Sequence, residues 1–324
     1  MKILFIANSR VGDVVLSTGL LNHLASRHPD ARFTIVASSL SAPLFDAFEH
    51  RERTIVIDKK SWSRHWFDLW RACVGKRWSL VVDMRGSALA YLLWTKERRV
   101  LRTSKAPEHR VISIGRLLDL SPPPSPQVWT AARHREAAMR LIPPGSPVLG
   151  MGPTAAWAYK TWSAANFAVL ARRLTEPGGL LPGARVALFG GPGEEMAAQQ
   201  AVATIPPDRV INLVGRLDLL TAQACLERCA LYIGNDSGLM HMAAAGGVPT
   251  LGLFGPTSPV HYHPWGPRTA VAQAPIPYEQ LRAQYRASGD VKAGSLLDSL
   301  TPEAVENAAR ALLQRAHHAA AGAG

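Results

Sequence analysis

One rhythm constrains this chain more than any other feature. Short, nearly all-apolar runs of strand length alternate with amphipathic stretches of helix length, and the alternation restarts after a proline-rich interruption. In the first half the strands are expected at 3–7, 33–37, 54–57 and 80–83. Helical stretches lie at 14–27, stopped by His28-Pro29, and near 42–48, 62–74 and 87–94. Ser121-Pro122-Pro123-Pro124-Ser125-Pro126 reads as a stiff loop, and Pro143-Pro144-Gly145-Ser146-Pro147 as the linker. Strands are then expected at 148–151, 186–189, 210–213, 231–233 and 250–254, with helices at 164–174, 195–204, 222–229 and 238–245. Thr301-Pro302-Glu303 opens a last helix, with Thr as N-cap and Pro in the first turn, and 319–324 is expected to fray. Strands apolar on both faces belong in parallel sheets covered on both sides. The expectation is therefore an α/β chain of two domains, 1–146 and 147–324, with ligands at strand carboxyl ends in a central cleft. The last helix is free to return to the first domain. A length of 324 residues agrees with two domains at roughly 150 residues each.

Charge divides the chain unevenly. The whole carries 36 Lys and Arg against 24 Asp and Glu, formally +12. Residues 1–147 hold 23 basic and 12 acidic residues, and the remainder hold 13 and 12. The excess thus belongs to the first half and points to an anionic partner there. Three cysteines make neither a disulfide framework nor a four-Cys zinc site; Cys225 and Cys229 read as small buried hydrophobes in a reducing compartment. No secretory signal is expected, because Asn8, Ser9 and Arg10 interrupt the first apolar run. The uncharged stretch 239–260 has the length of a membrane span, but Gly246-Gly247, Pro249 and Pro256 divide it into helix, turn and strand.

Four segments carry groups suited to chemistry, each where a strand ends. Asn8-Ser9-Arg10-Val11-Gly12-Asp13 precedes the first helix, and Asp13 reads either as a general base or as a helix cap. Gly152-Pro153-Thr154 and the following stretch to Lys160-Thr161-Trp162 offer Thr154 and Lys160 to phosphate oxygens. Phe189-Gly190-Gly191-Pro192-Gly193-Glu194-Glu195 is a glycine turn whose carboxylates suit ribose hydroxyls. In Asn235-Asp236-Ser237-Gly238-Leu239-Met240-His241, amides at Ser237 and Gly238 would meet an anion at a helix start, with His241 one turn in. The competing reading there has Asp236 or Ser237 as a cap and His241 as a core histidine. Neither a G-x-G-x-x-G nor a P-loop pattern accompanies these segments. Together, the last three make a nucleotide-binding arrangement on one sheet.

Val11-Gly12-Asp13, Lys160-Thr161-Trp162, Asn235-Asp236-Ser237-Gly238 with His241 and the following Ala243-Ala244-Ala245-Gly246, and Leu253-Phe254-Gly255-Pro256-Thr257 resemble glycosyltransferase family 9, the ADP-heptose:lipopolysaccharide heptosyltransferases. The resemblance spans residues 2 to 313. It implies a GT-B fold of two Rossmann-like domains, the first binding acceptor and the second the nucleotide-sugar. It also implies inverting displacement without a metal-binding D-x-D and without a cofactor, the donor being an ADP-sugar. By position, Asp13 matches the general base and Thr154 and Lys160 the diphosphate contacts, Lys160 being counted with Asp13 as catalytic. Glu194, or equally Glu195, matches a ribose contact, Asp236 a donor-sugar contact, Ser237 and Gly238 the diphosphate amides, and His241 a neighbouring donor contact. The sequence departs from the family at Asp83-Met84-Arg85-Gly86-Ser87, where an acidic-glutamine-glycine pattern is expected, and over 270–294.

The basic excess falls into two clusters: Arg51, Arg53, Lys59, Lys60 and Arg64, then Lys96, Arg98, Arg99, Arg102 and Lys105. With the resemblance in place, Arg10, Arg53, Lys59, Lys60, Arg64 and Arg85 are expected to hold an acidic glycolipid acceptor. Trp62, Trp66 and Trp70 form one helical stripe, read either as core or as contact with a membrane interface. The expected setting is cytoplasmic, peripheral on the inner leaflet, with no nucleic acid bound. Three other readings stay open: transfer of another sugar to other cell-surface glycans, a GT-B nucleotide-sugar epimerase, and a nucleic-acid-binding protein.

Overall fold

A computed structural model describes residues 1–102, 106–288 and 295–321. Lys105, the 289–294 part of the unassigned stretch and the end of the tail at 322–324 lie outside the described residues. By proximity the chain forms two compact units, Met1–Trp129 and Thr130–Gly324.

The first unit contains β1 (Lys2–Ile6), α1 (Val11–Arg27), β2 (Arg32–Ala37), β3 (Arg51–Val56), α2 (Arg64–Cys73), β4 (Trp78–Asp83), β5 (Thr95–Val100) and α3 (Arg110–Gly115). Its sheet runs β3-β2-β1-β4-β5, all parallel. Chain order reverses between β1 and β4, where Ile6 pairs with Asp83, so the loops leaving these two strands open at a topological switch point. Ile3, Leu4, Phe5 and Ile6 are wholly buried, as an all-apolar central strand requires. β5 escapes a reading by hydrophobicity because Thr-Lys-Glu-Arg-Arg-Val is a charged edge strand.

The second unit contains α4 (Ala132–Leu141), β6 (Val148–Gly152), α5 (Ala164–Thr175), β7 (Arg185–Leu188), α6 (Glu195–Gln200), β8 (Val210–Asn212), α7 (Leu219–Leu226) and β9 (Leu231–Asn235). It continues with α8 (Gly238–Ala245), β10 (Thr250–Phe254), α9 (Pro259–Tyr262), β11 (Thr269–Gln273), α10 (Tyr278–Ser288) and α11 (Pro302–Ala321). The order β11-β10-β9-β6-β7-β8 is again fully parallel, with its switch point between β6 and β9. The uncharged stretch 239–260 is α8, a turn and β10, with Met240, Leu251, Leu253 and Phe254 buried. Among the described residues no helix is long and apolar enough to cross a membrane. The unassigned stretch supplies the small-residue edge strand β11 and α10, whose Leu281 enters the core.

The proline-rich 143–147 segment lies inside the second unit. Arg185 Nη2 donates to Pro143 O at 2.6 Å and Arg228 Nε to Ile142 O at 2.5 Å, while α4 packs on α7. The last helix lies against α5, β10 and β11, with Val305, Ala309 and Leu312 in the core and Arg173 paired to Glu306 at 2.6 Å. Thr301 Oγ1 accepts the Ala304 N–H at its start, and the helix continues to Ala321, two residues past the start of the 319–324 tail.

Tyr232, in the middle of β9, lays its ring along the carboxyl end of β6. A Cβ on Gly152 would collide with the Tyr232 hydroxyl, and one on Gly234 would approach it to 2.6 Å. Here glycine is required by a side chain rather than by a ligand. Gly152→Ala is expected to destabilise the protein by about 1–3 kcal/mol in urea, as overpacking does. Adding Tyr232→Phe should recover part of that loss, and an unchanged denaturation midpoint for Gly152→Ala would contradict the packing.

Candidate active site

Asn235 organises the carboxyl end of the second sheet. Its Oδ1 accepts the Trp162 N–H at 3.0 Å, and the buried Trp162 indole donates to Leu300 O at 2.8 Å. These bonds fix the loop carrying Lys160, whose Nζ lies 2.9 Å from Asp236 Oδ2. The pair is largely buried, with side-chain exposures of 19% and 9%, so neither charge is well hydrated. His241 stands in the first turn of α8 with Nε2 4.0 Å from Asp236 Oδ1. Burial drives its imidazole down to about 4, against the pull of Asp236, so it is neutral near pH 7.

Both capping readings of this segment can be answered from the geometry. Asp236 is committed to Lys160, and Ser237 is the N-cap of α8 by backbone but makes no side-chain cap bond. The buried His241 Nδ1 has no hydrogen-bond partner among the described residues, and Ser237 Oγ faces the buried Tyr232 hydroxyl. The start of α8 therefore sets first-turn amides and the unpartnered His241 Nδ1 beside a lysine, a combination chemically suited to a polar, anionic ligand.

Glu194 and Glu195 separate clearly. Glu194 Oε2 accepts the Thr154 hydroxyl at 2.5 Å and the Gly191 N–H at 2.8 Å, which joins the ends of β6 and β7. Glu195 turns back to the Gly193 N–H, and backbone donors of its own residue and of Gly193 hold its carboxyl below the usual range. The structure thus brings Lys160, Asp236, Ser237, Gly238 and His241 together, with Thr154 and Glu194 as a second group on the same sheet end.

In the first unit, α1 has Arg10 as its N-cap, and Asp13 sits half-buried at the third position of the helix. Asp83, wholly buried at the end of β4, accepts the N–H groups of Arg85 and Ser87, each at 2.8 Å, and the Ser87 hydroxyl. This turn sends Arg85 across to β1, where its Nε donates to Ala7 O at 2.7 Å and its guanidinium lies 5.8 Å from the Trp66 ring. Desolvation lowers the Arg85 pKa, and its buried Nη2 has no hydrogen-bond partner among the described residues. Asn235 opens a segment that the sequence marks, without an anchoring role being readable there; Asp83 and Ser87 carry a signal only as a departure from the family pattern, and Tyr232 carries none.

The acceptor candidates do not form one cluster. Lys59, Lys60 and Arg64 line one open depression with Ser61 and Asp68, where Lys60 and Asp68 pair at 2.8 Å. Arg53 instead donates to Ala72 O at the far end of α2, and Arg10 is exposed at the start of α1. Among the described residues no group of three or more His, Cys, Asp or Glu could hold a metal ion. All three cysteines are free and buried, and burial pushes the Cys225 thiol up to about 11.

The neutral state of His241 has a measurable consequence. An unfolded histidine titrates near 6.5 and the folded one near 4. Below pH 6.5 the unfolded chain binds a proton that the folded chain refuses, so stability is full above 6.5 and falls as pH drops towards 4. This contribution is expected to reach about 3 kcal/mol. His241→Gln should show a correspondingly shallower acid loss in urea titrations; parallel curves for both proteins would contradict the burial of a neutral imidazole.

Residues 69–288 match a family model described as glycosyltransferase family 9 (heptosyltransferase). Lipopolysaccharide heptosyltransferase 2 of Salmonella typhimurium is 26% identical over 373 residues, covering 97% of this chain and 99% of that protein. The structure of E. coli ADP-heptose LPS heptosyltransferase II superposes with a TM-score of 0.73 at 22% identity, covering 98% of this chain and 100% of that one. A glycosyl transferase family 9 structure from Veillonella parvula reaches 0.79 at 22% identity, with 97% of each chain covered. These likenesses identify the two parallel sheets as the GT-B architecture, and the family model spans the whole of the second sheet together with β4 and β5 of the first. The chain belongs to glycosyltransferase family 9.

Proposed function

We propose that this glycosyltransferase moves a heptose from ADP-heptose to an acidic lipopolysaccharide-core acceptor with inversion at the anomeric carbon. The observation that carries the reading is the Lys160–Asp236 pair beside buried, neutral His241 at the start of α8. ADP-heptose and lipopolysaccharide are the substrates for which the similar heptosyltransferases are named, and the donor and acceptor here are taken from that likeness.

In this scheme the donor is held by the sheet of the second unit, within residues 147–324. Lys160, Thr154 and the amides of Ser237 and Gly238 meet the diphosphate, Glu194 the ribose, and Asp236 and His241 the sugar. The first unit binds the acceptor through Lys59, Lys60 and Arg64, which share one depression, with Arg10 after β1 and Arg85 after β4; Arg53, bonded to Ala72 O, is left out of this set. The acceptor hydroxyl oxygen attacks the anomeric carbon as the bond from that carbon to the diphosphate oxygen breaks. Asp13 takes the hydroxyl proton, and the electron pair of the broken bond leaves on ADP. Lys160 and the helix-start amides stabilise the growing charge on the diphosphate. The chain's own groups suffice for this displacement, so no cofactor is assigned. An acceptor anchored in lipid places the enzyme peripherally on the inner leaflet, and the near-neutral second half, 13 basic to 12 acidic residues, disfavours nucleic acid as its ligand.

A thermal-shift panel of nucleotide-sugars tests the donor, since stabilisation rises with affinity. ADP-heptose should raise the melting temperature most, ADP should follow, and UDP- and GDP-sugars should have little effect. Stabilisation by a UDP- or GDP-sugar without response to ADP-heptose would overturn the donor assignment.

A further inference from the structure

The first sheet is covered on one side by a thin layer. In it α2 and the short 3-10 turn Ala88–Tyr91 share one core: Leu69, Cys73, Leu89, Ala90 and Leu93 pack with Leu4, Ile6, Val36 and Val81 of the sheet. The sequence places Trp62, Trp66 and Trp70 on one stripe, but the layer divides them. Trp66 and Trp70 pack against this core, while Trp62 is 96% exposed. Four more large apolar side chains emerge from the outer surface of the same layer: Trp94 at 65%, Leu92 at 63%, Phe67 at 60% and Tyr91 at 55%. A surface of this kind is unusual on a soluble domain and marks an interaction site.

The charges around these side chains indicate what covers them. Arg77 lies 4.4 Å from the Trp94 ring and Arg98 5.2 Å from the Tyr91 ring. Arg64 and Arg71 are exposed on α2, and Lys96 is exposed just after Trp94. None of these five cations is in an ion pair with a described residue. Residues 1–129 hold 20 Lys and Arg against 11 Asp and Glu, so the surroundings do not neutralise them. A second copy would bring the same unpaired cations together, which opposes self-association. Aromatic and aliphatic tips among unpaired guanidinium groups fit the boundary between acyl chains and anionic headgroups.

We propose that the outer surface of α2 and the 91–94 segment docks on a bilayer bearing anionic headgroups. Phe67, Leu92 and Trp94 enter the interface, and Arg71, Arg77 and Arg98 meet headgroup phosphates. This assignment rests on the reading of the acceptor as a lipid-anchored glycan, and adds to it the face that approaches the membrane.

Flotation of the full chain with phosphatidylcholine vesicles, with and without phosphatidylglycerol, tests it. The protein should float only with phosphatidylglycerol, and less so as salt rises. The triple variant Phe67→Ser/Leu92→Ser/Trp94→Ser should bind at least about tenfold more weakly, with an unchanged melting temperature, since all three side chains are mostly exposed. Its transfer to a water-soluble acceptor fragment should equal that of the parent, while transfer to vesicle-embedded acceptor falls. Failure of the parent to float with either vesicle would overturn the docking surface, as would undiminished flotation of the triple variant. A concentration-dependent dimer that the triple variant abolishes would reassign the surface to a second copy. If neither acceptor form is glycosylated yet flotation depends on these residues, the proposed function fails and the docking surface stands.

Discussion

Replacing Asp13 by Asn is expected to lower turnover by about a hundredfold or more, the scale of losing a general base, while ADP-heptose binds as before. The amide matches the carboxylate in size and keeps its place at the third position of α1. It cannot accept the acceptor proton. Losing a negative charge in the first helical turn costs only about 0.3–1 kcal/mol, so the fold survives. In the proposed scheme donor affinity is set by groups of the other sheet, so it should change little. Steady-state ADP release, paired with calorimetric titration of the donor, separates these effects. Near-normal turnover in Asp13→Asn would remove Asp13 from the chemistry and leave it as a residue that favours the start of α1.

Lys160→Met should be comparably severe for a different reason. Its ammonium is the only side-chain cation within hydrogen-bond reach of Asp236 among the described residues. Loss of one preorganised group that stabilises developing charge typically lowers turnover by about 10²–10³-fold. The same change strands the buried Asp236 carboxylate, which carries a stability cost of about 3–5 kcal/mol. Lys160→Met/Asp236→Asn distinguishes the two effects, because it removes both charges together. The double variant should regain most of the lost stability and none of the lost turnover. Recovery of turnover in the double variant would make Lys160 a structural partner of Asp236 and not a leaving-group stabiliser.

The architecture was legible because its central strands are apolar on both faces. β1, β6, β9 and β10 announce themselves, and the loops that leave β1, β6 and β9 were readable as site segments. The edge strands were not legible, since β5 carries Lys96, Glu97, Arg98 and Arg99, and β11 is built of small residues. The site was legible as types of residue but not as contacts. Lys160 and Asp236 are 76 positions apart, and they meet because Asn235 anchors the Trp162 backbone. Sequence left Glu194 and Glu195 equivalent, whereas in the fold Glu194 bonds Thr154 and the Gly191 amide and Glu195 turns back to the Gly193 amide. The tryptophan stripe misled for a local reason. Spacing of four assumes a helix through Trp62, but α2 starts at Arg64, and Trp62 and Ser63 both have φ of 55°. The chain turns there, and Trp62 points away from the stripe.

The anomeric configuration of the transferred sugar is the most direct test of the whole account. Incubation with ADP-heptose and a lipopolysaccharide-core acceptor, followed by proton NMR of the product, should show a single anomer opposite in configuration to the donor. ADP should appear in equal amount and only when acceptor is present. A product that retains the donor's configuration, or ADP release that does not depend on acceptor, would contradict inverting transfer by Asp13 and Lys160.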